Sequence, residues 1–251
     1  EKNQFNPTVK DYIIEESPHR KLILLSNPCN PTGITKTSSD LKSLVEKSSY
    51  NNSGLLIDEA YELFHEPPVS AMSYIKNINE SNFFLTGAAT KGLQAPGIRI
   101  GWTISSKSNI EILGNFSSIG MGGVSRPSQL YALKLFEDKR IHHVRSAIPE
   151  FYSSQRARYG NEFKKLGIKL FSGKGGFYHW CKLPNKISSK KLNDYLFKKG
   201  AAILKGTDCD MKRGGEKSEL NNFFRFSFGP LEPNSFKSDI KILKEVLEKI
   251  T

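Results

Sequence analysis

Cysteine is scarce in this chain: three among 251 residues, at positions 29, 181 and 209, with no C-x-x-C pair. An odd number spread that widely argues against a disulfide framework or a cysteine-built zinc site and favours a reducing compartment, here the cytoplasm. The five histidines, His142 and His143 among them, never fall at an H-x-x-x-H spacing, so no metal site is expected. No apolar run approaches the roughly 18 residues of a membrane span, and no membrane association is expected. Acidic residues are outnumbered, 25 against 37 Lys and Arg, for a formal charge of +12. The basic residues are dispersed, mostly as lysines on polar faces, which reads as a Lys-rich surface rather than a nucleic-acid patch. Internal repeats and low-complexity tracts are absent. The first residues, EKNQFNPTVK, carry neither an initiator Met nor a signal or transit pattern, and read as the interior of a longer sequence.

What is present is globular sequence, 37% hydrophobic and long enough for one large domain or two small ones. Short apolar runs at 22–25, 54–57, 83–86 and 98–104 read as strands, with a helix over 37–48 after the first. Strands separated by helical segments predict an α/β layer with a mostly parallel sheet. The gap between Gly87 and Arg99 is too short for a parallel crossover, so the fourth strand is expected to run antiparallel.

From Pro127 onward the character changes. Long amphipathic helices are expected, with a kink or break at Pro149. Strands are then expected at 168–171, in GGFYHWCKL, in AAILK and in FFRFSFG. Helices are expected near 189–199 and over 235–250, with a polar loop over 207–222. This divides the chain into a large domain over 1–145 and a smaller α+β domain over 146–251.

Four segments put polar residues where an apolar strand stops: SNPCNPTG, IDEAYELF, TGAATKGLQAPGIRIGW and FFRFSFG. In α/β sheets such ends are where ligands sit. Taken singly each has a plainer reading: a turn, a helix cap, a solvated lysine, a structural ion pair. The first is unusual because a tight turn needs one Asn-Pro pair, and this one has two.

In order and spacing the four segments resemble the motifs of the class I/II aminotransferases of fold type I, the group that includes aspartate and histidinol-phosphate aminotransferases. These are the N-P-x-N-P-T-G turn, a D-x-A-Y strand end, a lysine eight residues before the Arg of P-G-x-R-x-G, and a C-terminal Arg strand. The resemblance implies a pyridoxal 5'-phosphate (PLP) enzyme of amino-acid metabolism, an aminotransferase exchanging an amino group between an amino acid and a 2-oxo acid, with a homodimer as its assembly. It also implies that roughly a hundred or more residues normally precede the Asn-Pro turn, so that the large domain is partial here. Lyases and decarboxylases of the same fold, and the aminotransferase-like effector domain of transcriptional regulators, are the alternative readings.

Residue by residue, the resemblance makes Lys91 the catalytic, cofactor-linked lysine. Asp58 faces the pyridine nitrogen, Tyr61 and Asn30 face the phenolic oxygen, Arg99 binds the phosphate with Thr90 as a further contact, and Arg225 grips the substrate carboxylate. The chemistry suits these types: a carboxylate keeps the ring nitrogen protonated, and a guanidinium matches phosphate or carboxylate through paired hydrogen bonds. Asn27 reads as a turn residue, Cys29 as a packed thiol, and the aromatics of GGFYHW as core. The chain departs from the pattern at Ala88, where many relatives carry a phosphate-binding serine; Thr86 or Thr90 could compensate. It departs again near Gly120, where aspartate-type members carry a second arginine. Arg126 lies close by, and a dicarboxylate-only substrate is disfavoured.

Overall fold

The computed structural model describes residues 3–13, 19–48, 52–184 and 187–250. The chain forms two compact units, Glu1–Cys29 with Thr35–Pro149, and Asn30–Ile34 with Glu150–Thr251. No described helix is long and apolar enough to cross a membrane.

The first unit opens with a single helical turn, α1 (Val9–Tyr12), followed by β1 (Lys21–Ser26), α2 (Ser38–Ser48), β2 (Ser53–Asp58), β3 (Phe83–Ala88) and β4 (Gly101–Ile104). The strands lie in the order β1-β2-β3-β4, the first three parallel and the last antiparallel. Leu41, Leu44, Val45 and Ser48 of α2 recur at helical spacing and are buried. Leu41, Leu44 and Val45 pack with Leu25, Leu55, Ile57, Phe83 and Leu85 in one core, where a fully buried Leu is worth about 1.5–3 kcal/mol. Leu22 and Leu24 of β1 are 63% and 66% exposed.

Two expectations change here. The fourth strand was expected over 98–104, but Pro96–Ile98 form a tight helical turn, Arg99 is left-handed, and the ladder starts only at Gly101. A helix that the sequence reading did not anticipate, α3 (Lys107–Gly120), follows, capped by Ser106 accepting from the Asn109 amide at 3.3 Å. None of its residues is buried, and Ile112, Phe116 and Ile119 line its exposed surface. α4 (Arg126–Leu135) and α5 (Asp138–Lys165) complete the helices of this half. Pro149 does not break α5, which continues on both sides of it, although the boundary between the units falls directly after it.

The second unit contains the C-terminal part of α5, then β5 (Lys169–Leu170), β6 (Tyr178–Lys182), α6 (Ser189–Phe197), β7 (Leu204–Lys205), β8 (Phe223–Ser227) and α7 (Phe236–Ile250). Its antiparallel sheet has the order β5-β6-β8-β7. The core is aromatic: Tyr159, Phe163, Tyr178, Trp180, Phe223, Phe224 and Phe228 are all buried. Tyr159 also donates to Asp239 of α7 at 2.7 Å. His179 is buried and neutral, with desolvation holding its pKa down at about 4. Its Nε2–H donates to the Arg156 carbonyl at 2.9 Å, and its Nδ1 faces the Ser172 hydroxyl at 3.0 Å. The strand expected over AAILK is reduced to Leu204–Lys205. The Ala201 amide goes to the Leu196 carbonyl and the Ile203 amide to Asn193 Oδ1, so neither is available to a ladder.

Candidate active site

Because β1, β2 and β3 are parallel and in register, their carboxyl ends share one edge: Ser26 pairs with Asp58, and Asp58 with Thr86. Whatever follows these strands collects there. Asp58 is the last residue of β2 and Tyr61 lies three beyond; Ala88 is the last of β3, with Thr90 and Lys91 just beyond. β4 returns antiparallel with Gly101 opposite Ala88, so Arg99, two residues before it, reaches the same edge. Five of the expected residues therefore converge through topology alone.

Local hydrogen bonds shape the segments that carry them. The Asp58 Oδ1 accepts from the Ala60 amide at 2.9 Å, which turns the chain sharply towards the buried Tyr61. The segment 89–100 folds back on itself: the Ala95 amide donates to the Ala89 carbonyl, the Ala89 amide to the Ile100 carbonyl, and the Gln94 amide to the Lys91 carbonyl. Lys91 is half-buried at the turn of this loop. Arg99, with φ of 52°, is exposed and donates to the Pro96 carbonyl at 2.9 Å. No described carboxylate forms an ion pair with it. A carboxylate, a phenol, a hydroxyl, an amine and an exposed guanidinium on one sheet edge fit a phosphorylated pyridine aldehyde in their chemistry.

Asn30 and Arg225 belong to the second unit. Arg225 lies on β8, where Trp180 faces it in the ladder, and its Nη1 donates to Asn30 Oδ1 at 2.7 Å. Its Nε is enclosed without a partner, and no described carboxylate pairs with it. A half-buried guanidinium in that state is suited to an anionic ligand. The turn carrying Asn30 is held by backbone bonds, Gly173 N–H to the Thr32 carbonyl at 2.8 Å and Gly175 N–H to the Gly33 carbonyl at 2.7 Å. The backbones approach so closely that a Cβ on Gly33 or Gly173 would overlap a carbonyl oxygen.

Sequence reasoning missed two residues. Asn27 is more than a turn residue. It is buried, its Nδ2 donates to the Lys36 carbonyl at 3.0 Å, and its Oδ1 accepts from the Lys36 amide at 2.7 Å. Asn27 thus clamps the two legs of the Asn-Pro loop, while its own amide donates to the Asp58 carbonyl at 2.8 Å. Glu59 is also buried, and its Oε1 accepts from the Ala71 amide at 2.7 Å. Burial pushes its carboxyl up to about 7 against the opposing effect of that amide. The sequence signal for Glu59 was its place beside Asp58 at a strand end. Cys29 is half-buried and Arg126 is exposed at the start of α4.

A family profile described as aminotransferase class I and II matches residues 1–235. Among curated relatives, the chain is 27% identical over 228 residues to an LL-diaminopimelate aminotransferase of Prochlorococcus marinus, covering 81% of this chain and 51% of that protein. It is 24% identical over 248 residues to a histidinol-phosphate aminotransferase of Methanococcus maripaludis, covering 99% and 62%. Among solved structures, a mutant aspartate aminotransferase of Thermus thermophilus superimposes with a TM-score of 0.81 at 20% identity, covering 98% of this chain and 65% of that one. The chain therefore spans about half to two-thirds of the length of the proteins it matches.

Proposed function

Since the chain belongs to the aminotransferase class I and II family and has the type I fold of PLP enzymes, we propose that it acts in PLP-dependent transfer of an amino group between an amino acid and a 2-oxo acid. The observation that carries the reading is the convergence of Asp58, Tyr61, Thr90, Lys91 and Arg99 at the carboxyl edge of one sheet. When bound, PLP would supply the electron sink that stabilises negative charge on the substrate α-carbon.

The chain's own residues do the rest. Lys91 would hold the cofactor and would carry a proton to and from the substrate α-carbon. The Asp58 carboxylate would keep the proton on the pyridine nitrogen. Tyr61 would donate to the phenolic oxygen, and Arg99, with Thr90, would neutralise the phosphate. Arg225 can only donate, so the Asn30 atom facing it is the carbonyl oxygen. That leaves the Asn30 amide as the donating end of the side chain, suited to the phenolic oxygen. The remaining N–H groups of Arg225 suit the α-carboxylate of the substrate. A homodimer and a cytoplasmic location belong to the same reading, and the exposed Ile112, Phe116 and Ile119 surface supports an apolar partner.

The test is to incubate the protein with PLP, reduce with borohydride and map the modified peptide by mass spectrometry. A pyridoxyl group on Lys91, lost in Lys91→Ala, is the expected result. Stable modification of a different lysine, or undiminished labelling of Lys91→Ala, would overturn the assignment. An amino-donor screen with 2-oxoglutarate then reads the activity itself.

A further inference from the structure

The second unit holds another half-buried guanidinium. Arg156, on the C-terminal part of α5, pairs with no described carboxylate. Its Nη2 donates to the Gly176 carbonyl, and its Nε is enclosed with no partner. Its guanidinium carbon lies 5.9 Å from the centre of the Phe228 ring. Its backbone carbonyl is also committed, to His179. Burial lowers its pKa to about 10, which records the cost of keeping a cation there. A side chain wanted only for packing would avoid that cost, so what the cation holds matters.

It holds the bend that leads into β6. Gly176 has φ of +81°, and a Cβ there would come within 2.6 Å of Tyr178 Cζ and 2.8 Å of its hydroxyl. The Gly176 peptide and the Tyr178 ring are therefore one packed piece. Tyr178 is fully buried, and the Arg225 guanidinium carbon lies 5.5 Å from its ring centre. The contacts run from Arg156 to Gly176, from Gly176 to Tyr178, and from the Tyr178 ring to Arg225. Asn30 holds Arg225 at one nitrogen, and the ring supports its face.

We propose that Arg156 is a positioning residue for the carboxylate-binding arginine: by holding the Gly176 carbonyl it fixes the Tyr178 ring, and the ring sets the direction in which Arg225 presents its N–H groups. This rests on the reading of Arg225 as the carboxylate anchor. A purely structural Arg156 would lower stability without changing how tightly a carboxylate binds to the folded protein.

The experiment measures the PLP-loaded protein in three ways: the dissociation constant of an unreactive carboxylate, 3-phenylpropanoate, the KM and kcat for the amino donor, and PLP affinity. Arg156→Met and Tyr178→Leu are each expected to weaken carboxylate binding and raise KM by about tenfold, with PLP affinity within about twofold. Their combination should be no worse than the stronger single change, because both cut one chain of contacts. Arg156→Lys, which keeps a donor for the Gly176 carbonyl, should recover most of the loss. Should Arg156→Met not fold, Tyr178→Leu and Arg156→Lys read the same links. If Arg225→Ala abolishes carboxylate binding while the Arg156 and Tyr178 variants bind like wild type, the inference is overturned alone. If Arg225→Ala binds the carboxylate undiminished, the reading beneath it is overturned as well.

Discussion

Arg225 and Asn30, 195 positions apart in sequence, are joined by a 2.7 Å hydrogen bond in which the guanidinium donates to the amide oxygen. The bond orients both groups, since it leaves the asparagine a donor and the arginine with unused N–H groups. Asn30→Ala should raise KM for the amino acid by about tenfold through loss of that orientation. Asn30→Asp should raise it further, because the new carboxylate would occupy the guanidinium as a competing anion. Steady-state kinetics over a range of amino-donor concentrations checks the order; a smaller effect for Asp than for Ala would contradict it.

Arg99 separates stability from cofactor affinity. Its left-handed backbone, φ 52°, costs an L residue about 1–2 kcal/mol, a cost glycine avoids although glycine has more unfolded-state entropy to lose. Arg99→Gly should leave the stability of the PLP-free protein unchanged or raise it by about 1 kcal/mol. PLP affinity should nonetheless fall by about tenfold or more, through loss of the guanidinium–phosphate contact. Thermal melts without PLP and a PLP titration give the two numbers.

Asn27 is expected to matter for folding more than its loop position suggests. Asn27→Ala would strip buried partners from both the amide and the carbonyl of Lys36. Each buried group left unsatisfied costs about 1–3 kcal/mol, so the loss should be about 2–6 kcal/mol, read by chemical denaturation.

Two buried titratable groups predict opposite pH responses. Glu59 is shifted up from its usual 4.5 to about 7, so its contribution is complete below pH 4.5 and is lost as pH rises through about 7. His179 is shifted down from its usual 6.5 to about 4, so its contribution is complete above pH 6.5 and is lost as pH falls through about 4. Each shift corresponds to about 3 kcal/mol at most. Denaturation at several pH values should show Glu59→Gln removing much of the decline between pH 4.5 and 7 while leaving the acid-side decline in place. An unchanged alkaline limb in that variant would refute the Glu59 assignment.

The parallel strands were legible because Leu, Ile and Phe runs end abruptly at Asp58 and Thr86, and the short return from Gly87 to Arg99 dictated the antiparallel fourth strand. α3 was not legible: KSNIEILGNFSSIG mixes helix formers with Ser, Asn and Gly, and its apolar residues face outward rather than marking a buried stripe. AAILK has strand-like composition, but Asn193 and the end of α6 take its amides first. The missing amide of Pro149 suggests a kink or a break, and there is no break: α5 runs on through it. Asn27 looked like any asparagine before proline, because its partner at Lys36 becomes visible only once the loop is closed. The residues expected at the site directly follow buried strands, and polar groups placed there have one sheet edge to occupy.

The Asn-Pro loop gives the chain an unusual continuity. The peptide Asn30–Ile34 belongs to the same compact unit as residues more than a hundred positions later, and its carbonyls receive the amides of Gly173 and Gly175. Severing the chain after Pro149 would therefore not yield two self-sufficient modules. The later piece would keep its aromatic interior but lose five residues lent from upstream, with two amide groups and one arginine stripped of the acceptors that quiet them.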